Sequence, residues 1–352
     1  MSKYYLPFEK EYEKLYKKIK DSKDVPYNFN KKFEDQGKQG TVGLLDMFNR
    51  KCVFKCSQYY NHLVRHEFEI MKSLRSIRKS CPHFCLGYKV LTFDADFDYR
   101  KKENPFLVSR KKSMKNEAIL MQWIKNSKDF TDFISYSGNE KVIYSSVKQI
   151  LCALSIAQNK LHFCHYDLHS SNVLMSKCDP ELSLVYVLDK DNTVCVPTFG
   201  YIPKIIDYGF SYTKKLEKKT FYGTLAHTDV GFMSCTNDFM MDLKLFLVTV
   251  SYDVHHHHNS NTAKTFRNVI KNIFEPLDID WESGWDRYTR SGAADQILEK
   301  IEDFYDGSKL FEEYDFHCID LFQTLIKLPL QNHSTKNLEV SFKTFIQEFK
   351  KI

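Results

Sequence analysis

His165-Tyr166-Asp167-Leu168-His169-Ser170-Ser171-Asn172-Val173-Leu174 sets an Asp and an Asn five positions apart on a loop between two apolar segments. A carboxylate so placed can accept a hydroxyl proton while an amide oxygen five residues on holds a magnesium ion, the division of labour that phosphoryl transfer asks of a protein. Some thirty residues downstream, Ile205-Ile206-Asp207-Tyr208-Gly209 reads as a strand that delivers an acidic side chain to a tight Gly turn.

Three further segments lie upstream. Gly37-Lys38-Gln39-Gly40-Thr41-Val42-Gly43 reads as a glycine-rich hairpin whose backbone N–H groups can approach a phosphate with no Cβ in the way. Lys51-Cys52-Val53-Phe54-Lys55-Cys56 alternates polar and apolar residues as a half-buried strand does. From Tyr60 to Ile77, Leu63, Phe68, Ile70, Met71, Leu74 and Ile77 recur at helical spacing, and this helix carries Glu67 and Glu69. Taken singly, Lys55 and Glu67 are more commonly just a solvated pair and the glycines just a hairpin turn. Their order is the discriminating feature.

Glycine hairpin, strand Lys, helix Glu, HxDxxxxN and DxG in that succession resemble the protein-kinase superfamily. The resemblance implies an α+β, two-lobed protein-kinase-like fold with a small β-rich N-lobe and a larger helical C-lobe. The corresponding limits are a helical extension over 1–30, the N-lobe with its Gly-rich loop and hinge over 31–124, and the C-lobe over 125–352 with an insert at 176–203. The resemblance also implies ATP and Mg2+ as cofactors. By the family pattern Asp167 takes the hydroxyl proton, Asn172 and Asp207 hold the metal, and Lys55, steadied by Glu67, grips the phosphates under a hairpin formed by Gly37, Gly40 and Gly43. Glu67 is preferred to Glu69 because the family's pairing Glu directly precedes an apolar residue with an apolar pair two and three positions further on, which Phe68 and Ile70-Met71 satisfy. Asn116 to Ile124 is similar to the strand and hinge that bind the base, with Met121 as gatekeeper and the backbone of Gln122, Trp123 and Ile124 bonding adenine. Asp129 to Ile134 is similar to the short helix after the hinge, and Val147 to Leu161 marks a long buried helix feeding the catalytic loop.

Gly223-Thr224 resembles the G-T pair of serine/threonine kinases, and Asp242 resembles the buried acid that braces the catalytic loop from below. The stretch between Asn172 and Asp207 is longer than in most of the family and holds Leu184 to Leu188 and Val194 to Lys204, which read as extra strands. That insert together with HxDLHxxNVL and PTFGYIPKIIDYGFS resembles serine/threonine kinases of large cytoplasmic DNA viruses, the iridovirus and ascovirus type. The implied activity is transfer of the ATP γ-phosphoryl group to Ser or Thr hydroxyls of protein substrates. A small-molecule phosphotransferase of the aminoglycoside or choline kinase type shares HxDxxxxN and the Leu-His after its Asp. A pseudokinase scaffold is a further alternative, although none of its catalytic residues would be missing.

The chain departs from the pattern at several points. The glycines are spaced G-x-x-G-x-x-G, Tyr208 replaces the usual Phe, and no A-P-E is recognisable. Tyr166 stands where an Arg binds an activation-segment phosphate in regulated kinases, so activity without such phosphorylation is expected. His169 takes the place of a Lys, which removes a fixed positive charge unless the ring is protonated.

The chain of 352 residues is 43% hydrophobic and 27% charged, an ordinary globular balance with room for a sizeable core. The net charge of +6 falls in short clusters without the aromatic interleaving of a nucleic-acid stripe, so no nucleic-acid partner is expected. Ten Cys without paired C-x-x-C spacing read as reduced, and Cys81-Pro82-His83-Phe84-Cys85 lacks the second half of a zinc site. No apolar run approaches membrane-spanning length and no leader is visible, so a cytoplasmic, non-secreted protein without a membrane partner is expected. His255 to His258 read as a polar loop.

Overall fold

The computed structural model describes residues 7–22, 24–33, 40–57, 61–109, 113–188, 193–216 and 239–274. Gly37, the Gly223-Thr224 pair and everything from 275 onward lie outside the described residues.

The first half is built on an antiparallel sheet of β1 (Asn28–Lys32), β2 (Gly40–Met47), β3 (Arg50–Ser57), β4 (Gly87–Ala95) and β5 (Met114–Gln122), in the order β1-β2-β3-β5-β4. β2 and β3 turn at Phe48 and Asn49, both at positive φ (50° and 60°), as a two-residue hairpin matching the strand twist demands. The helix α1 (Pro7–Asp21) precedes the sheet, and α2 (Asn61–Leu74) lies between β3 and β4 in the chain. Because Tyr12, Leu15 and Ile19 recur at intervals of three and four, they form one buried stripe on α1. Tyr12 stacks on Tyr88 at 5.0 Å and donates to the Gly87 carbonyl at 3.0 Å, while Arg75 of the α2 end covers Tyr16 at 4.0 Å. The sheet starts at Asn28, inside the stretch that sequence assigns to the helical extension.

From residue 130 onward the described residues are mainly helical: α3 (Phe130–Ser137), α4 (Glu140–Leu161), α5 (Phe239–His257) and α6 (Asn261–Phe274). Each start that shows its cap is set by a short polar side chain. Asp129 accepts from Asp132 N at 2.7 Å for α3, Asn139 from Lys141 N at 3.0 Å for α4, and Ser260 Oγ from Ala263 N at 3.0 Å for α6. His162, at φ 48°, closes α4 in the left-handed conformation and turns the chain into the segment that holds Asp167. Small strands fill the interval: β6 (Lys128–Asp129), β7 (Val173–Lys177), β8 (Ser183–Val187), β9 (Thr193–Pro197) and β10 (Tyr201–Ile205). β7 pairs with both β6 and β10, and β8 with β9 makes a separate hairpin, the extra strand material read in the insert. The ensemble is a mixed α+β fold.

The hairpin is fastened through His83. Burial pushes this imidazole down to about 3, so it is neutral, and its Nδ1, facing the Pro203 carbonyl at 2.8 Å, must carry the proton. Nε2 then accepts from Tyr186 Oη at 2.7 Å, so both ring nitrogens between Cys81 and Cys85 are committed to protein partners. His255 to His257 form the last turn of α5 instead of the polar loop that sequence suggests, because the apolar helix beginning near Asp242 continues through them. No helix among the described residues is long and apolar enough to cross a membrane.

Candidate active site

Lys55 faces inward from β3 and Glu67 from α2, with Lys55 Nζ 2.9 Å from Glu67 Oε2. The same ammonium lies 2.6 Å from Asp207 Oδ1, just beyond β10. Of the two helix carboxylates, Glu67 is the one at Lys55, while Glu69 pairs with Lys72 at 2.8 Å. Glu67 Oε1 also accepts from Tyr208 N at 3.2 Å, so one carboxylate holds both the Lys and the turn after Asp207.

Burial alone would lower the Lys55 ammonium, but Asp207 and Glu67 overcome it and keep the group charged well above its ordinary range. Asp207 is opposed by burial too, yet direct contact with Lys55 holds it below the usual carboxylate range. Glu67 is pushed up by burial more than Lys55 lowers it, as expected where one cation serves two carboxylates.

Asp207 and the loop that carries Asp167 and Asn172 are brought together by backbone pairing. Cys164 and Tyr212 exchange N–H···O bonds at 3.1 and 2.7 Å, Ile206 N donates to Asn172 O at 3.0 Å, and His165 Nε2 lies 2.9 Å from Ile206 O. Asp242, fully buried in the first turn of α5, accepts from His165 N at 2.7 Å and Tyr166 N at 2.8 Å. The acidic brace expected from sequence therefore sits under the loop. It also fixes Tyr166 at φ 63°, a conformation uncommon for a non-glycine residue, and Asp207 stands at φ 62° across the site.

Asn172 Nδ2 donates to Asp167 O at 2.8 Å, to Asp167 Oδ2 at 3.3 Å and toward His169 Nε2 at 3.0 Å. Burial lowers His169, and as the acceptor of this bond its ring is neutral. Its Nε2 stands 3.8 Å from Asp167 Oδ1, beyond hydrogen-bond reach. Asp167 is raised from 3.8 to about 7, first by burial and then by the nearby Asp207 charge, against opposing effects of Asn172 and Lys55.

These groups suit a magnesium ion. With the amide nitrogen of Asn172 spent on three acceptors, Oδ1 is its remaining donor to a cation. With Asp207 Oδ1 bonded to Lys55 and Gly209 N, Oδ2 is left for the same purpose. Among the described residues no group of three or more His, Cys, Asp or Glu could cage a metal. One carboxylate and one amide, completed by substrate phosphates and water, is how Mg2+ is commonly held.

The hydroxyl of Tyr208, buried completely, donates to Ile205 O at 2.6 Å, which supplies the partner that replacing Phe requires. Gly40 and Gly43 have a packing reason beyond any phosphate. A Cβ on Gly40 would collide with the Cys56 carbonyl, and one on Gly43 would collide with Lys31 O and come within 2.6 Å of the Phe54 ring. Met121 is buried at the end of β5 opposite Val53. Of the hinge residues, Gln122 has its N–H already bonded to Leu86 O at 3.0 Å, which removes that donor from any base-binding set. Trp123 stacks on Phe33 at 6.3 Å and Ile124 is buried.

Sequence reasoning missed four contributors. His66, beside Glu67, places Nε2 2.9 Å from Ser211 O and ties α2 to the segment after Asp207. Thr249, Asp253 and Ser170 form a second anchor on α5. Their signal was present: Thr249 and Asp253 follow Asp242 by seven and eleven residues, which returns to the same helix face.

No family model matches the chain. An uncharacterised protein of Invertebrate iridescent virus 6 is 27% identical over 93% of this chain, and the chain spans only 66% of that relative's length. A probable kinase of Invertebrate iridescent virus 3 is 26% identical over 55% of this chain and 35% of its own length. The serine/threonine-protein kinase haspin of Mus musculus is 42% identical over 67 residues, 19% of this chain and 9% of haspin. The chain is thus distantly similar to iridovirus proteins and, over shorter spans, to kinases.

Proposed function

We propose that this chain is an ATP-dependent protein kinase that transfers the γ-phosphoryl group to Ser or Thr hydroxyls. The observation that carries this reading is the convergence of Lys55, Glu67, Asp207 and the Asp167–Asn172 pair, from four separate stretches of the chain, through contacts of 2.6–3.3 Å, with Ile206 N on Asn172 O joining the two groups. A bound Mg2+ would neutralise phosphate charge between Asn172 and Asp207. Lys55, kept charged by its two carboxylates, would grip the phosphates. Asp167, at about 7, is poised to take the proton of an incoming hydroxyl near neutral pH. The distant likeness to kinases supports phosphotransfer, and the Ser/Thr preference rests on the Gly223-Thr224 resemblance.

The test is incubation with γ-labelled ATP and Mg2+ against casein, basic proteins and a panel of aminoglycosides and aminoalcohols. Label on protein Ser or Thr, lost in Asp167→Ala, is the expected outcome. Label confined to small molecules would replace the reading with a small-molecule phosphotransferase, and metal-dependent ATP binding without transfer to any acceptor would leave a scaffold.

A further inference from the structure

The helix α5 touches the catalytic loop twice. The first contact is Asp242, already described beneath His165 and Tyr166. The second lies further along the same face: Thr249 Oγ1 accepts from Ser170 N at 3.1 Å, and Asp253 Oδ2 accepts from Ser170 Oγ at 2.7 Å. Offsets of seven and eleven residues return within about 20° of the starting direction on a helix, so the three side chains form a single stripe. Seven residues advance about 10 Å along the axis, a distance that the steps from His165 to Ser170 span with room for the left-handed Tyr166 and the turn in which His169 N donates to Asp167 O at 3.1 Å. The stripe therefore holds the loop at two fixed points, with Asp167 in the span.

The second anchor has a particular target. Ser170 opens the single tight turn over Ser170–Asn172, closed by Asn172 N donating to His169 O at 2.9 Å. Thr131 Oγ1 of α3 meets Ser170 Oγ at 2.7 Å and Ser171 Oγ at 3.0 Å, which holds the turn from its other side. Thr249 spends its own hydroxyl hydrogen on the α5 carbonyls of Leu245 and Phe246, at 3.0 and 3.1 Å, and is thereby oriented as the acceptor for Ser170 N. Asp253 is 8% exposed, so its bond to a neutral hydroxyl is made largely out of water, where it is strong and directional.

We propose that Asp253 is a positioning residue for Asn172, acting through Ser170 to set where the amide oxygen of Asn172 meets a metal–nucleotide complex. The inference rests on the phosphotransfer reading of the site. Asp253 acts one residue removed from the ligand, as the outer partners of metal ligands do, and losing such a partner typically weakens metal affinity about 10- to 100-fold.

The experiment measures Mn2+ binding to the full chain in the presence of a non-hydrolysable ATP analogue, by electron paramagnetic resonance, alongside the Mg2+ dependence of transfer. Asp253→Ala and Ser170→Ala should each raise the half-saturating metal concentration about tenfold, at the lower end of that range. Asp253→Asn, which keeps an acceptor for the hydroxyl, should restore most of it. In an Asn172→Ala background, Asp253→Ala should have no further effect on the metal, which a merely structural role would not reproduce. Ser170→Ala leaves the α5 side chains intact and keeps the question answerable if Asp253→Ala does not fold. Wild-type metal affinity in Ser170→Ala, or an undiminished effect of Asp253→Ala without Asn172, overturns the proposal alone. A wild-type chain that binds no metal–nucleotide complex overturns it together with the phosphotransfer reading.

Discussion

Asp167→Asn should stabilise the protein above neutral pH while removing the group proposed as base. Burial and the Asp207 charge raise the Asp167 carboxyl from 3.8 to about 7, so the folded state resists its ionisation. The sign follows from linkage. Between pH 3.8 and about 7 the folded state binds more protons than the unfolded one, so stability falls as pH rises through that window and is level above it. A shift of about three units corresponds to a ceiling of about 4 kcal/mol at about 1.4 kcal/mol per unit. The side chain is 24% exposed and partly screened by water, which brings the expected gain in Asp167→Asn nearer about 2 kcal/mol. Urea denaturation of the wild type and Asp167→Asn at pH 4, 6 and 8 measures it: the two should be close at pH 4, with the variant ahead at pH 8. In parallel, the acid limb of wild-type kcat/KM in the free enzyme should fall with a midpoint near 7, because only the ionised carboxylate takes a proton. A variant equal to or weaker than wild type at pH 8 would mean that Asp167 is not held against its charge, and the electrostatic account of the site would fail.

Lys55→Met removes the cation shared by Glu67 and Asp207 and should cost about 3–5 kcal/mol at neutral pH, the penalty of breaking a buried ion pair. Since Asp207 is depressed in the folded wild type, the stability it contributes is full at neutral pH and is lost as pH falls through its lowered value, so melts of the two proteins should converge toward acid. Asp242→Ala takes the acceptor from two buried N–H groups and should cost about 3 kcal/mol or more in urea denaturation, with transfer activity falling alongside. Tyr208→Phe loses the bond to Ile205 O and should cost about 1 kcal/mol while leaving turnover within a few-fold. Exhaustive phosphatase treatment should leave turnover intact, because α2 is held by the Glu67, Tyr208 and His66 contacts and Tyr166 offers no cation for a phosphate; complete loss of activity would refute this.

Patterns that are local in sequence were legible. The alternation through Lys51 to Cys56 gave β3, the helical spacing after Tyr60 gave α2, and Asp167 with Asn172 lay in one ten-residue stretch. The Lys55–Glu67–Asp207 cluster was legible only through the order of motifs, since the last two contacts span 140 or more residues. Contacts made by backbone groups left no signature: nothing in composition marks Gln122 N as taken by Leu86, or Ile206 N as bonded to Asn172. The His255 to His257 run was misread because polar composition suggested a loop, where the apolar face of α5 outweighed it.

Charge and strain are concentrated in the same few residues. Asp167 is kept partly against its ionisation, Lys55 stays charged in a nearly dry site, and Tyr166 and Asp207 both hold left-handed backbone angles. Such costs persist only where the surroundings overdetermine them. At Tyr166 the constraint is Asp242, whose two oxygens take consecutive N–H groups and leave the chain little other conformation. At Asp207 it is Lys55 on the side chain, with Ile206 N and Tyr208 N fixed on either side by Asn172 O and Glu67. The bonds that impose these angles are thus anchored on α5 for Tyr166, and on β3 and α2 for Asp207. Among the described residues the groups that orient Asp167 and Asp207 are already in contact, which is why a site assembled without a further chemical signal is expected.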